Sequence, residues 1–194
     1  MHRVETVHSF NDLVYDFDVV IDATGLGSRK LSNDPELYPR RGQVIVARTP
    51  FTDRCETFLH EAKDDRGTDV LTYWSHREHG YVLIGGTAEI GMEDRNPSMK
   101  TTQEIMERVR FFDPTFEHVE IEQVMVGLRP CRSKIRIEAN FAYRVPVIHA
   151  TGHGGGGYSL AAGTAHKVVG LIEELAPDTV TDIWRDADEM LLVR

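Results

Sequence analysis

Cysteine is nearly absent from this chain: of 194 residues only Cys55 and Cys131 are thiols. Two cysteines without metal-ligand spacing give neither a disulfide framework nor a zinc site, and fit reduced thiols in a cytosolic-type protein. No apolar run approaches the roughly 18–20 residues of a transmembrane helix. The opening stretch MHRVETVHSFNDLVYDFD has no apolar centre and does not read as a signal peptide. Cations are in the minority, 22 Lys and Arg against 31 Asp and Glu, for a net charge of −9. That balance excludes non-specific nucleic-acid binding, which needs clustered cations to displace counterions. Repeats, low-complexity tracts and an obvious linker are also missing, so the length suits one domain or two small ones. Among the nine histidines the closest cluster is His76 and His79 around Glu78. An HxxH in a turn lacks the spacing of a helical zinc pair, and no metal is expected.

What is present alternates between two architectures. FDVVIDATGLG (Phe17 to Gly27) and VPVIHATG (from Val145) are apolar runs ending in glycine turns, the mark of strands covered on both faces. Between Gly42 and Gly86, GQVIVART, CETFLHEA, DVLTYWSH and GYVLIGGTAE are short β-branched and aromatic runs separated by charged or glycine turns. They predict an antiparallel sheet. The spacing predicts a helix over Thr101–Phe112, capped by Thr101 or Thr102 with Glu104 close by and stopped by Pro114. HVEIEQVMVGL alternates as a strand. A last helix over Tyr158–Leu175 carries an apolar stripe at Ala161, Ala165, Val168, Val169, Ile172 and Leu175. The fold class is mixed α/β.

The stretch HATGHGGGGYSL (His149 to Leu160) places five glycines between a strand and a helix. Strand, glycine loop and helix together aim backbone N–H groups and a positive helix end at an anion or a polarised ring. A wide turn without a ligand is the plain alternative. HGGGG also resembles an esterase oxyanion loop, but the order is wrong: no GxSxG follows, and Ser159 comes only two residues after the glycines. GLGSRK at Gly25 is an incomplete nicotinamide fingerprint, with Lys30 at the third glycine. The other conspicuous stretch is VGLRPCRSKIRIE (Val126 to Glu138), where Arg129, Arg132, Lys134 and Arg136 gather in an acidic chain. A solvated strand edge is the bland explanation. Arg136 lies between Ile135 and Ile137 and so projects from the face opposite two apolar neighbours, where a guanidinium fork suits a carboxylate.

At this point the chain resembles the flavin-dependent D-amino-acid oxidases, and within them the D-aspartate oxidases. Five segments carry the resemblance in order: DVVIDATGLG, RRGQVIV, LTYWS…YVLIGGT, VGLRPCRSKIRIE and VIHATGHGGGGYS…GTAHKVVGLIEEL. The resemblance implies a partial FAD-binding, Rossmann-like domain over 1–41 and 137–194, and an antiparallel substrate-binding domain over 42–136. It implies that Arg136 clamps the substrate α-carboxylate, that the Tyr73 hydroxyl bonds the same group, and that the Gly155 carbonyl receives the amino group. FAD would lie against Thr24, Gly25, Gly42, Gln43, Gly152, Gly154, Gly155, Gly156, Gly157, Tyr158 and Ser159. The implied reaction is oxidative deamination of a D-amino acid with dioxygen, giving a 2-oxo acid, ammonia and hydrogen peroxide. Arg66 matches an arginine that recognises an acidic side chain, which points to D-aspartate or D-glutamate. A second such arginine is replaced by Ala88, so a neutral substrate stays open, as does a dead structural or binding remnant of the family.

The departures are informative. The family opens with a strand and a GxGxxG loop, whereas here the ATG turn begins at Ala23, so the chain corresponds to a C-terminal part. Alone it is not expected to hold FAD tightly or to be active. Asp69 stands where these oxidases carry a second active-site tyrosine. The ending DEMLLVR is not of the SKL type, which leaves the compartment as cytoplasmic or peroxisomal. Expected partners are a small D-amino acid and dioxygen, without nucleic acid or membrane; a homodimer is left open.

Overall fold

The computed structural model describes residues 6–13, 17–50, 57–63 and 69–175. The chain divides into two compact units, one of residues 1–38 and 129–194, the other of residues 39–128.

In the first unit a short parallel pair forms the centre. β1 (Val20–Asp22) runs beside β8 (Val147–His153), with Val20 opposite Val147 and Asp22 opposite His149. A 3-10 turn at Gly25–Gly27 leads from β1 into the four-residue α1 (Ser28–Leu31). On its other side β8 pairs antiparallel with the last part of β7 (Glu120–Asn140). The register shifts between Cys131, opposite His153, and Arg136, opposite Thr151. Phe10, Leu13, Val20, Val145 and Val147 form the core, with Tyr143 edge-on to Phe10. β1 is thinner than its sequence suggests: Val20 and Asp22 are buried, but Ile21 is 41% exposed. The final helix, α3 (Gly157–Leu175), follows the expected bounds within a residue. Its stripe is covered only toward its end, with Val168 buried and Val169, Ile172 and Leu175 half-buried, while Ala161 and Ala165 are exposed.

The second unit is the expected antiparallel sheet. Its order is β7–β2–β5–β4–β3, with β6 (Glu89–Ile90) beside β2, where β2 is Tyr38–Arg48, β3 Thr57–Lys63, β4 Asp69–His76 and β5 Tyr81–Gly85. Alternation sorts the side chains between two faces. Ile45, Ala47, Trp74, Val82 and Ile84 pack against Ile105, Met106 and Val109 of α2 (Met99–Phe112), and Phe116 closes the cluster. Phe58 stacks on Trp74 at 4.1 Å. The opposite face carries Val44, Val46, Leu71, Tyr73 and Leu83, all half-buried.

The arginine segment lies in the first unit, where Arg132 is tied to Asp34 and its stem packs on Gly152. One expectation shifts. Helix α2 starts two residues early, and its cap is Ser98 rather than Thr101 or Thr102. The Ser98 hydroxyl accepts from the Thr101 N–H at 3.2 Å, whereas the Thr102 hydroxyl donates to the Ser98 carbonyl at 3.0 Å.

A cap serine replaced by alanine costs about 1 kcal/mol. Ser98→Ala should therefore lower the urea midpoint measurably, while Thr101→Ala should leave stability within about 0.5 kcal/mol. The reverse ranking would restore the cap to Thr101.

Candidate functional site

A single carboxylate organises the turn after β1. Asp22 is fully buried and accepts at both oxygens. Oδ1 takes the Thr24 hydroxyl at 2.7 Å and the Thr24 N–H at 3.2 Å; Oδ2 takes the Ser28 hydroxyl at 2.5 Å. His149 Nδ1 lies 2.9 Å from the same Oδ2. Burial by itself would raise the Asp22 pKa, but the hydrogen bonds from His149, Ser28 and Thr24 together hold it below the ordinary value. His149 is also fully buried, and its Nε2, like the Thr151 hydroxyl two residues on, has no hydrogen-bond partner. Gly25 takes φ +60° in this turn, with Pro130 3.6 Å from where its Cβ would stand. The turn is thus pinned at Thr24 and at Ser28, with its glycines between.

The glycine loop contains two kinds of glycine. Gly152 sits at φ +85°, and a Cβ there would lie 2.6 Å from Arg132 Cβ, so only glycine fits. Gly155, by contrast, is exposed, with Tyr158 and Ser159 exposed beyond it. No side chain caps the Gly154–Gly156 turn, which runs straight into the N-terminus of α3. That end presents backbone N–H groups and the positive pole of a 19-residue helix. His153 Nε2 and the Thr164 hydroxyl, 3.0 Å apart, tie the loop to the helix.

The four cations of the arginine segment divide sharply. Arg136 is not a free fork: its Nε donates to Glu138 at 2.8 Å, and its Nη1 lies 3.4 Å from both Asp34 and Ser32. Arg132 joins the same Asp34 at 2.9 Å and reaches Glu36 at 3.2 Å. Asp34 has 2% of its side chain exposed, so this is a buried carboxylate between two guanidinium groups. Arg136, the expected clamp, is thus engaged by Asp34 and Glu138, and Ile135 beside it is 42% exposed rather than part of a buried apolar face. Arg129 is different. Its Cδ and Nε lie 3.7 and 4.0 Å from where a Cβ of Gly155 would stand. The signal that could have found it is its place in GLRP, directly before the proline that touches Gly25.

In the second unit Tyr73 stands directly opposite Gly85, and any Cβ on that glycine would run into the tyrosine ring. A Cβ on Gly86 would come 3.2 Å from the ring as well. The sequence thus reserves the surface under Tyr73 by omitting side chains. Gly42 is buried in β2. Gln43 is buried and its side chain is spent: Nε2 donates to the Ser98 carbonyl and the Thr102 hydroxyl, each at 2.9 Å, and Oε1 accepts from the Ser98 N–H at 2.8 Å. Its amide side chain anchors α2 and has nothing left for a cofactor. Arg41 bridges to Glu89 and donates to the Asp94 and Asn96 carbonyls, each at 2.8 Å. From α2, Arg108 donates to the Gly86 carbonyl at 3.1 Å, and burial pushes its pKa down. Ala88 is 4% exposed. Arg66 lies outside the described residues, as does the side chain of Asp69. Among the described residues no group of His, Cys, Asp and Glu could hold a metal ion, and no helix is long and apolar enough to cross a membrane.

Comparison with known proteins gives concordant matches. The family model described as FAD dependent oxidoreductase matches residues 2–171. A D-amino-acid oxidase from Dictyostelium discoideum is 40% identical over 166 residues, covering 84% of this chain and 45% of the relative. A D-aspartate oxidase from Homo sapiens is 34% identical over 162 residues, covering 81% and 45%. The chain thus spans less than half the length of these relatives. Among solved structures, glycine oxidase from Geobacillus kaustophilus aligns with a TM-score of 0.70 at 23% identity, over 82% of this chain and 44% of that one. Iminodiacetate oxidase from Chelativorans sp. BNC1 aligns at 0.68 and 18% identity, over 80% and 42%. Both show a shared fold.

The depressed pKa of Asp22 has a consequence for acid stability. A carboxylate whose pKa is lower folded than unfolded stabilises the fold above its unfolded pKa, and that contribution is lost as pH falls through the folded value. The unfolding free energy of the wild-type chain should fall more steeply than that of Asp22→Asn as pH drops below the ordinary carboxylate value of 3.8. Chemical denaturation across that range measures both slopes, and parallel slopes would show that Asp22 titrates normally.

Proposed function

The chain belongs to the FAD-dependent oxidoreductase family, and on that premise we propose that it carries substrate and flavin contacts of a D-amino-acid oxidase. The observation that carries this reading is the closeness of Arg129 to Gly155. In an amino acid the carboxylate and the amine are attached to one carbon, so the groups that receive them must be near neighbours. Arg129 offers a guanidinium fork to the carboxylate, and the Gly155 carbonyl is the acceptor for the amine. Arg136, committed to Asp34 and Glu138, gives up the clamp role. The role that the resemblance gives Tyr73, a hydroxyl donor to a carboxylate, is a separate proposal within the second unit.

The residues present fit a flavin. The Thr24–Gly27 turn and the Gly155–Tyr158 backbone, exposed at Gly155 and Tyr158 and lying at the positive end of α3, suit a planar ring that gains electron density on reduction. When bound, the flavin supplies the redox chemistry, accepting the α-hydrogen as a hydride. Orientation is then the work left to the protein, since no acid–base dyad is required to hold the Cα–H in place. We assign the cofactor contacts to the first unit and Tyr73 with its apolar surroundings to the second. Dioxygen serves as the electron acceptor, yielding peroxide, with the imino product hydrolysing to a 2-oxo acid and ammonia.

The preference for acidic D-amino acids rests on Arg66 and keeps the standing of a proposal. A specific observation favours a neutral substrate as the second reading: Val44, Val46, Leu71 and Leu83 share the sheet face of Tyr73. Comparing D-aspartate, D-glutamate and D-alanine before and after Arg66→Ala separates the two. An unchanged ratio removes the acidic reading.

Arg129 and Arg136 should fail in different ways. In the flavin-loaded protein Arg129→Ala should lower kcat/KM by roughly thirty- to several-thousand-fold, the effect of losing about 2–5 kcal/mol from a desolvated charge pair. Arg129→Lys keeps the charge but loses the fork and should stay impaired. Arg136→Ala should instead reduce stability by about 1–3 kcal/mol through the charge it leaves on Asp34. Peroxide production and urea unfolding measure the two effects; a large kcat/KM loss in Arg136→Ala with Arg129→Ala active would return the clamp to Arg136.

A further inference from the structure

We infer that Asp22 and His149 form a positioning pair that sets the Thr24–Gly27 turn, by fixing both ends of it on one buried carboxylate at the meeting of β1 and β8. The part concerning flavin rests on the function proposed above; the part concerning the turn does not. Asp22 and His149 are the last of the three paired positions of the parallel strands, so the pair stands where β1 leaves the sheet toward its glycine turn, while β8 runs on beside β7 toward the glycine loop. Ligands of open parallel sheets lie beyond the carboxyl ends of strands, which is where this pair acts.

The pair is more than filling. A buried charge with one polar neighbour is costly, and a polar core is tolerated when its groups are satisfied. Asp22 is satisfied by four donors, three of them from Thr24 and Ser28. Thr24 in turn receives the Gly27 N–H at its carbonyl, 3.1 Å away. The chain of bonds therefore runs from the carboxylate through Thr24 to the middle of the turn. On the other side, an ionised carboxylate can only accept, so the facing His149 Nδ1 must carry the proton. This fixes the imidazole and leaves Nε2 without a partner, packed with its ring edge-on to Phe10 at 6.0 Å. Thr151, with its own hydroxyl unpartnered, follows on the same face of β8 and leads directly to Gly152. One carboxylate thus governs the turn after β1 and the side chain that precedes the glycine loop after β8. The arginine network reaches the pair only at its margin, where Arg136 meets the Ser32 hydroxyl at 3.4 Å and Ser32 lies 3.2 Å from the Ser28 hydroxyl.

The test uses the 194-residue chain labelled with 15N. In the wild type, His149 should show the proton on Nδ1. Asp22→Asn turns an acceptor into a donor at one position, so the imidazole proton should move to Nε2. Amide exchange at Thr24 and Gly27 should then rise by about tenfold or more, as for loss of a hydrogen bond to a charged group, while Ile45 and Ile84 exchange as before. A purely volumetric role would leave the tautomer and the turn amides unchanged, and that result overturns the pair. If Asp22→Asn does not fold, Thr24→Val carries the same comparison, because it keeps the carboxylate and His149 and removes one donor; unchanged exchange at Gly27 would then overturn the pair. Titration with riboflavin separates the two parts. A loosened turn with riboflavin binding weakened about tenfold supports both. A loosened turn with riboflavin binding unchanged supports the pair and removes the flavin assignment of the turn.

Discussion

Asp34 is a buried carboxylate, and everything about the arginine segment follows from the need to satisfy it. With 2% of its side chain exposed it cannot rely on water, so it draws Arg132 and Arg136 inward from β7. Removing one partner of such a group is far more damaging than the pair is stabilising, because the remaining charge keeps its desolvation cost. The consequence reaches beyond the ion pairs. Drawing Arg132 inward lays its stem against Gly152, and only a glycine can pass there. The glycine loop, the β7 irregularity between Cys131 and Arg136, and the commitment of two guanidinium groups are one arrangement.

This is also where the sequence misled. An arginine between two isoleucines in a strand implies an apolar face and an opposing functional cation, and Arg136 suits that pattern. The side chain that decides the matter is Asp34, 102 residues earlier, and no local pattern links the two. Local alternation served well wherever burial was set by the sheet itself. The runs around Ile45, Trp74 and Ile84 became β2, β4 and β5 in the antiparallel order expected, and the apolar VVID and VPVIH runs became the parallel β1 and β8. The cap of α2 was missed for a similar reason. Thr101 and Thr102 read as cap residues, but Gln43 engages the backbone of Ser98 on both sides and fixes the helix start there. Gln43 itself was read as a cofactor contact, and its side chain proves to be that anchor.

Glycine carried the most information, although not all of it the same kind. At Gly152 the residue is dictated by a positive φ and by Arg132, and would be glycine with or without a ligand. Gly85 is dictated by the Tyr73 ring across the strand pair. Gly155 has neither constraint: its φ is ordinary, its Cβ would make only van der Waals contact, and it is exposed. A residue that neither conformation nor packing requires to be glycine is the one whose small size is best explained by approach from outside. Within the loop, Gly155 joins that freedom to an exposed position, and Arg129 stands beside it.

Charge sharpens the same point. In a chain with net charge −9, small anions are drawn only where the local sign of the field is reversed. Asp34, Glu36 and Glu138 neutralise Arg132 and Arg136 and so cancel that reversal along most of the segment. Arg129 opens the segment and stands beside Gly155, just before the N-terminus of α3. Positive charge and positive dipole are thus brought together at one end of the arginine run and removed from the other. On the function proposed above, an amino-acid carboxylate is received at that end, because Asp34, Glu36 and Glu138 already hold Arg132 and Arg136.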